Sequence, residues 1–151
     1  MDRLYALLLL AATTLDQGIK QYVEDSFKTG EKREGDHFIV RKVYNRGFAL
    51  NTMDQKQTVV KGVSVAALAA VAAADVTLFS KKRHLLSKLG MTFITAGAIS
   101  NIYDRLIRGK VIDFISLKSK HKKIERLTAN LADIYLAIGM LITALGDAFG
   151  L

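Results

Sequence analysis

The chain has 151 residues, half of them hydrophobic, with 22 basic residues against 14 acidic ones and a formal net charge of +8. That length holds a single domain, taken as 1–151. High apolar content combined with strong positive charge fits a small polytopic membrane protein with basic loops better than an ordinary soluble domain. With no cysteine there can be no disulfide, zinc–thiolate site or cysteine nucleophile, and His37, His84 and His121 lack ligand spacing, which argues against a metal site. The basic residues gather around 81–88 and 105–126 without aromatic interleaving or a reading motif, so no nucleic-acid partner is expected.

Four apolar stretches mark helices: Leu4–Leu15, Gly62–Ala74, Gly90–Tyr103 and Ile134–Gly146. Each falls short of a spanning length, and each adjoins one acidic residue: Asp16, Asp75, Asp104 or Asp133. Read through that residue, each reaches or approaches a span. Acidic groups inside spans are expensive and face polar interiors, which makes them functional candidates. The first stretch runs into Asp16-Gln17-Gly18-Ile19-Lys20 with no small-residue cleavage site, so it reads as a first helix and not a removable leader. A long polar connection follows, in which His37–Tyr44 is β-branched and aromatic and predicts a strand. The compact basic connection Ser80-Lys81-Lys82-Arg83-His84 predicts a cytoplasmic turn, with both termini inside and the two long loops outside. The Arg105–Arg126 loop is still more basic and opposes that topology on charge alone.

The polar residues each admit a plain structural reading. Asp16 and Lys20 share a helix face at i, i+4, which suits a local ion pair. Asn45-Arg46-Gly47 is ordinary turn chemistry. Asn101 and Asp104 share a face at i, i+3 beside small residues that let helices approach, and Asp104-Arg105 suits a structural pair. Asn130 with Asp133 three residues on is an N-cap and first-turn acid. Asp113 differs, since Val111, Ile112, Phe114 and Ile115 place it where desolvation raises a carboxyl pKa. Together, Asp113 and Asp133, each expected at an outer helix end, supply the pair of carboxylates that aspartyl hydrolysis needs, one ionised to take a proton from water and one protonated to activate the carbonyl.

The ordered blocks Asp16-Gln17-x-x-Lys20, Asn45-x-Gly47, Gly97-Ala98-x-x-Asn101-x-x-Asp104-Arg105, Gly109-x-Val111-x-Asp113-Phe114-Ile115 and Asn130-x-Ala132-Asp133 resemble lipoprotein signal peptidase, signal peptidase II. The resemblance runs from residue 4 to about 149. It implies a mainly α fold: a membrane-type four-helix bundle with a small extramembrane β-sheet formed mostly by the first long loop. The implied activity is removal of signal peptides from prolipoproteins, just before the diacylglyceryl-cysteine, without metal or cofactor. It also implies a multi-pass, monomeric protein of the bacterial inner membrane, in contact with membrane lipid. Catalysis falls on Asp113 and Asp133, with Asp16, Lys20, Asn45, Gly47, Asn101, Asp104, Arg105 and Asn130 in support.

Two departures from the family pattern, Ala96 before Gly97 and Ala129 before Asn130, remove no polar group. A mean hydropathy of only +0.20, and Lys61, Asp75, Lys88 and Asp147 in or near spans, raise an alternative. That alternative is an engineered, water-soluble, non-catalytic analogue, in which those four charges would point outward. A basic membrane interaction module leaves the five ordered blocks unexplained.

Overall fold

A computed structural model of the chain describes residues 3–28, 30–48 and 51–150. Helix α1 (Arg3–Ser26) leads into strands β1 (Lys32–Glu34) and β2 (Phe38–Asn45), then α2 (Gln57–Phe79) and α3 (Leu85–Tyr103). A π-helical turn, Asp104–Arg108, extends α3. Strand β3 (Val111–Leu117), the short α4 (Lys122–Glu125), β4 (Thr128–Ala129) and α5 (Leu131–Phe149) complete the chain.

Helix α3 is the hub, packing against α1, α2 and α5. Its seam with α5 is built from small residues. A Cβ on Gly139 would come within 2.6 Å of the Gly90 carbonyl oxygen, and one on Gly97 within 2.5 Å of the Ala132 carbonyl oxygen. Ala132, Gly139 and Gly146 recur every seven residues, so one stripe of α5 meets α3 at backbone distance. Helices α2, α3 with its π turn, and α5 are long and apolar enough to cross a membrane. Helix α2 lies at the periphery, with Val60 its buried residue.

The sheet has the antiparallel order β1-β2-β3-β4. The first long connection supplies β1 and β2, and the second supplies β3 and β4, so the two connections share it. Gly109, at φ 71°, reverses the chain from the π turn into β3. Ile112 and Phe114 on one face of β3 pack against Val23 and Phe27 of α1, which docks the sheet on that helix. The register of β2 on β3 slips by one residue between Val40 and Val43. The slip has a large consequence, because side chains alternate faces: it turns Val43 and Asn45 to the face that carries Asp113.

The four unassigned charges do not all point outward. Lys88 is buried and donates to the Lys81 carbonyl oxygen at 2.7 Å. Asp75 is half-buried and accepts from Thr95 Oγ1 at 2.7 Å, inside the α2–α3 contact. Lys61 is half-buried, and Asp147, though exposed, accepts from Ser87 Oγ. The outward-charged exterior expected of a water-adapted analogue is therefore contradicted at Asp75 and Lys88.

The seam predicts that Gly139→Leu destabilises the protein by about 1–3 kcal/mol or more, because its new side chain must displace backbone. Gly18→Ala is the control: nothing lies within 4 Å of a Cβ there, and a helix-interior alanine stabilises. Thermal melting of the detergent-solubilised protein should show a lowered midpoint for the first and none for the second.

Candidate active site

Asp16, Lys20 and Asp104 are fully buried. Lys20 Nζ lies 2.6 Å from Asp16 Oδ2 and 2.7 Å from Asp104 Oδ2. Arg108 Nη1 adds a second cation, 3.0 Å from Asp104 Oδ1. Two carboxylates thus meet two cations, and the charge sum is zero. Desolvation costs several kcal/mol per buried ion unless such pairing and further hydrogen bonds offset it. Those bonds are present: Ser100 Oγ donates to Asp16 Oδ2, the Ala132 amide to Asp16 Oδ1, and Gln17 Nε2 to Ser100 Oγ and Asp104 Oδ1. The cluster ties α1 to the end of α3 and the start of α5.

Three asparagines carry this order to two further carboxylates. Asn101 Oδ1 accepts from Lys20 Nζ at 3.1 Å, and its Nδ2 donates to Asp133 Oδ1 at 2.9 Å. Lysine can only donate, so the asparagine must turn its oxygen to Lys20 and its NH2 to Asp133. Asn130 Oδ1 accepts the Asp133 amide, which leaves Nδ2 to donate to Asp113 Oδ1 at 2.7 Å. Asn45 Oδ1 accepts the Gly47 amide, which leaves Nδ2 to donate to Asp113 Oδ2 at 3.1 Å. The Asn130 amide closes the set on Asp133 Oδ2 at 3.2 Å, completing a capping box at the start of α5. Each carboxylate therefore receives one N–H on each oxygen.

The two carboxylates differ in setting. Asp113 is buried on β3, not at a helix end as its sequence neighbourhood suggested, whereas Asp133 is half-buried in the first turn of α5. Burial and, secondarily, the charge of Asp133 push the Asp113 carboxyl up to about 6, against the pull of the Asn45 and Asn130 hydrogen bonds. Both line a cleft of about 450 Å³ between the sheet and the ends of α3 and α5.

Asp104 and Arg105, adjacent in sequence, part company. Asp104 sits in the buried cluster, while Arg105 lines the cleft. Arg105 Nη2 donates to the Gly47 carbonyl at 3.3 Å, and its guanidinium lies 5.9 Å from the Phe48 ring centroid. Gly47 is required where it stands, because the backbone carbonyls of Asn51 and Thr52 occupy the space of a Cβ. Of the ten sequence-derived residues, Asn45, Asn101, Arg105, Asp113 and Asp133 line the cleft and Asp16, Lys20 and Asp104 form the buried cluster, while Gly47 and Asn130 sit just behind the lining and bond to it. Sequence reasoning gave no role to Ser100, Gln17, Arg108, Phe48 or Arg126. Arg108 had a signal, lying i+4 from Asp104 as Lys20 does from Asp16. Arg126 and Phe48 reach the cleft only through the folding of the two long connections.

Apolar helices around a polar cleft with paired carboxylates define an integral membrane protein with the makings of a hydrolytic site. The signal peptidase (SPase) II family model matches residues 8–149, and the chain belongs to that peptidase family. The lipoprotein signal peptidase of Mesorhizobium japonicum is 31% identical over 152 residues, spanning 97% of this chain and 86% of that protein. Its counterpart from Neisseria meningitidis serogroup C is 31% identical over 146 residues, spanning 95% of this chain and 88% of that one. Two solved structures of bacterial membrane enzymes, obtained by the in meso method, share the fold at 24% identity. Their TM-scores are 0.81 and 0.77, with 95% and 93% of this chain covered and 87% and 90% of theirs. These likenesses give no support to an engineered, non-catalytic analogue.

The hydrogen bond from Asn45 lowers the Asp113 pKa, so removing it should raise that pKa further. Titration of the carboxyl carbons by NMR should place Asp113 near 6 in the parent protein. In Asn45→Ala it should move up by about one unit, the worth of one hydrogen bond to a charged group.

Proposed function

We propose that the chain is an aspartic endopeptidase that removes signal peptides from prolipoproteins, cutting before the diacylglyceryl-cysteine, with Asp113 and Asp133 as its catalytic pair. The observation that carries this reading is the matched set of N–H donors on the two carboxylates at one cleft. Close carboxylates hold one proton between them, and the deeper burial of Asp113 favours the proton there. Asp133 then takes a proton from water as the water attacks the scissile carbonyl. Asp113 delivers its proton to the carbonyl oxygen, forming a gem-diol. In the second half Asp133 returns its proton to the departing cysteine nitrogen, Asp113 takes one from a gem-diol hydroxyl, and the C–N bond breaks. The dyad ends as it began.

Arg105 and Phe48 line the cleft mouth and suit contacts to the substrate backbone and apolar leader. Asp16, Lys20, Asp104, Asn101, Asn45, Gly47 and Asn130 act by positioning. The protein functions as a monomer that crosses the bacterial inner membrane four times, in contact with its lipid. The Lys81–His84 connection and both termini are then cytoplasmic, and the sheet and cleft lie outside.

Asp113→Asn and Asp133→Asn should each cut turnover of a synthetic diacylglyceryl-prolipoprotein by at least roughly a hundredfold while the protein stays folded. Asp25→Asn, at an exposed carboxylate, should cleave normally. Because Asp113 must be protonated to act, kcat/KM of the parent enzyme should fall as pH rises through about 6. Substantial cleavage by folded Asp113→Asn protein would overturn the assignment.

A further inference from the structure

At the end of the helices remote from the cleft, α2 and α5 both pack on α3 without packing on each other to any comparable extent. A groove of about 430 Å³ opens between them. Met91 of α3 forms its floor, and Ala73, Ala74 and Leu78 form its α2 wall. The alanines matter because larger side chains there would fill the space. The mouth carries one charge of each sign. Lys81 lies just past the end of α2, and Asp147 lies in the last turn of α5. Neither makes an ion pair among the described residues. Both are held: the Lys81 carbonyl accepts from the buried Lys88 ammonium at 2.7 Å, and Asp147 Oδ1 accepts from Ser87 Oγ at 2.7 Å.

The depth is that of lipid headgroups, since both charges sit at the ends of membrane-length helices. We propose that this groove is a binding site for one phospholipid with a primary-amine headgroup, the chemistry of phosphatidylethanolamine. The lipid phosphate meets the Lys81 ammonium, and the headgroup ammonium donates to the Asp147 carboxylate. An acyl chain lies along the Ala73–Ala74 wall over Met91. A choline headgroup has no N–H to give Asp147, and a glycerol headgroup offers it only a neutral hydroxyl, so the Lys81–Asp147 pair selects the amine. The proposal rests on the membrane placement of the helices and not on the peptidase reading.

Native mass spectrometry of the detergent-purified full chain, titrated with dioleoyl lipids, tests it. The parent protein should retain one phosphatidylethanolamine with a preference of roughly tenfold over phosphatidylcholine, as one charge-assisted hydrogen bond supplies. Asp147→Ala, which removes the acceptor, should bring the two lipids to equal retention, and Lys81→Glu should weaken both. Ala74→Leu, at an exposed position that affects packing little, should abolish retention without altering the melting midpoint. Equal binding of the two lipids by the parent, stronger binding of phosphatidylglycerol, or a phosphatidylethanolamine adduct undiminished in Ala74→Leu would overturn the site. Cleavage assays on the same samples report the peptidase reading separately.

Discussion

A lysine ammonium fully removed from solvent is the constraint on which the rest of this molecule depends. Lys20 persists in the interior because Asp16 and Asp104 meet it at ion-pair distance and Arg108 balances the second carboxylate. Removing one member of such a cluster leaves an uncompensated buried charge, which costs far more than the net worth of the pairing. Helix α1 therefore has one position against α3 that satisfies Lys20, and the Ala132 amide on Asp16 fixes the start of α5 to the same point. The glycine and alanine stripe between α3 and α5 removes the slack that bulkier residues would leave.

From that anchor, order passes outward through amides. An asparagine whose oxygen faces an obligatory donor has only N–H groups to offer elsewhere, and Lys20, the Asp133 amide and the Gly47 amide each impose this on one asparagine. The carboxylates in the cleft are thus oriented by a relay whose direction cannot reverse without leaving a buried donor against a donor. The one-residue slip in β2 completes the arrangement, because without it Asn45 would occupy the opposite face of the sheet from Asp113. In this framework the raised pKa of Asp113 is a product of burial that the two asparagines moderate.

Much of this was legible before any coordinates. The apolar stretches and the acidic residue beside each located the long helices, and the β-branched run at 37–44 located β2 within one residue. Asn130 and Asp133 were legible as a cap, since capping is local chemistry. What was not legible is what arises between distant segments. Asp16 and Lys20 read as a local i, i+4 pair, but the second carboxylate on Lys20 comes from the far end of α3. Asp113 read as a residue at a helix end, and apolar β-formers on both sides were the better guide to its strand. Lys88 and Asp75 read as possible exterior charges because hydropathy does not record which way a side chain turns. Their partners, a carbonyl and a threonine, are unremarkable in sequence. The sheet's division between two connections was hidden because the segment of β3 reads as a helix end and β4 spans only two residues.

The central claim is that the Lys20 cluster positions the dyad through Asn101, beyond merely holding the helices together. The double variant Lys20→Met, Asp16→Asn removes one buried ion pair and leaves Asp104 paired with Arg108, so no ion is left unpaired and its stability should stay near that of the parent protein. Its turnover per folded molecule is the decisive quantity. With no ammonium to claim its oxygen, Asn101 can rotate, and kcat should fall by roughly tenfold or more with KM little changed, as expected for lost positioning. A folded double variant that cleaves prolipoprotein at the parental rate would show that the Lys20 cluster serves the fold alone.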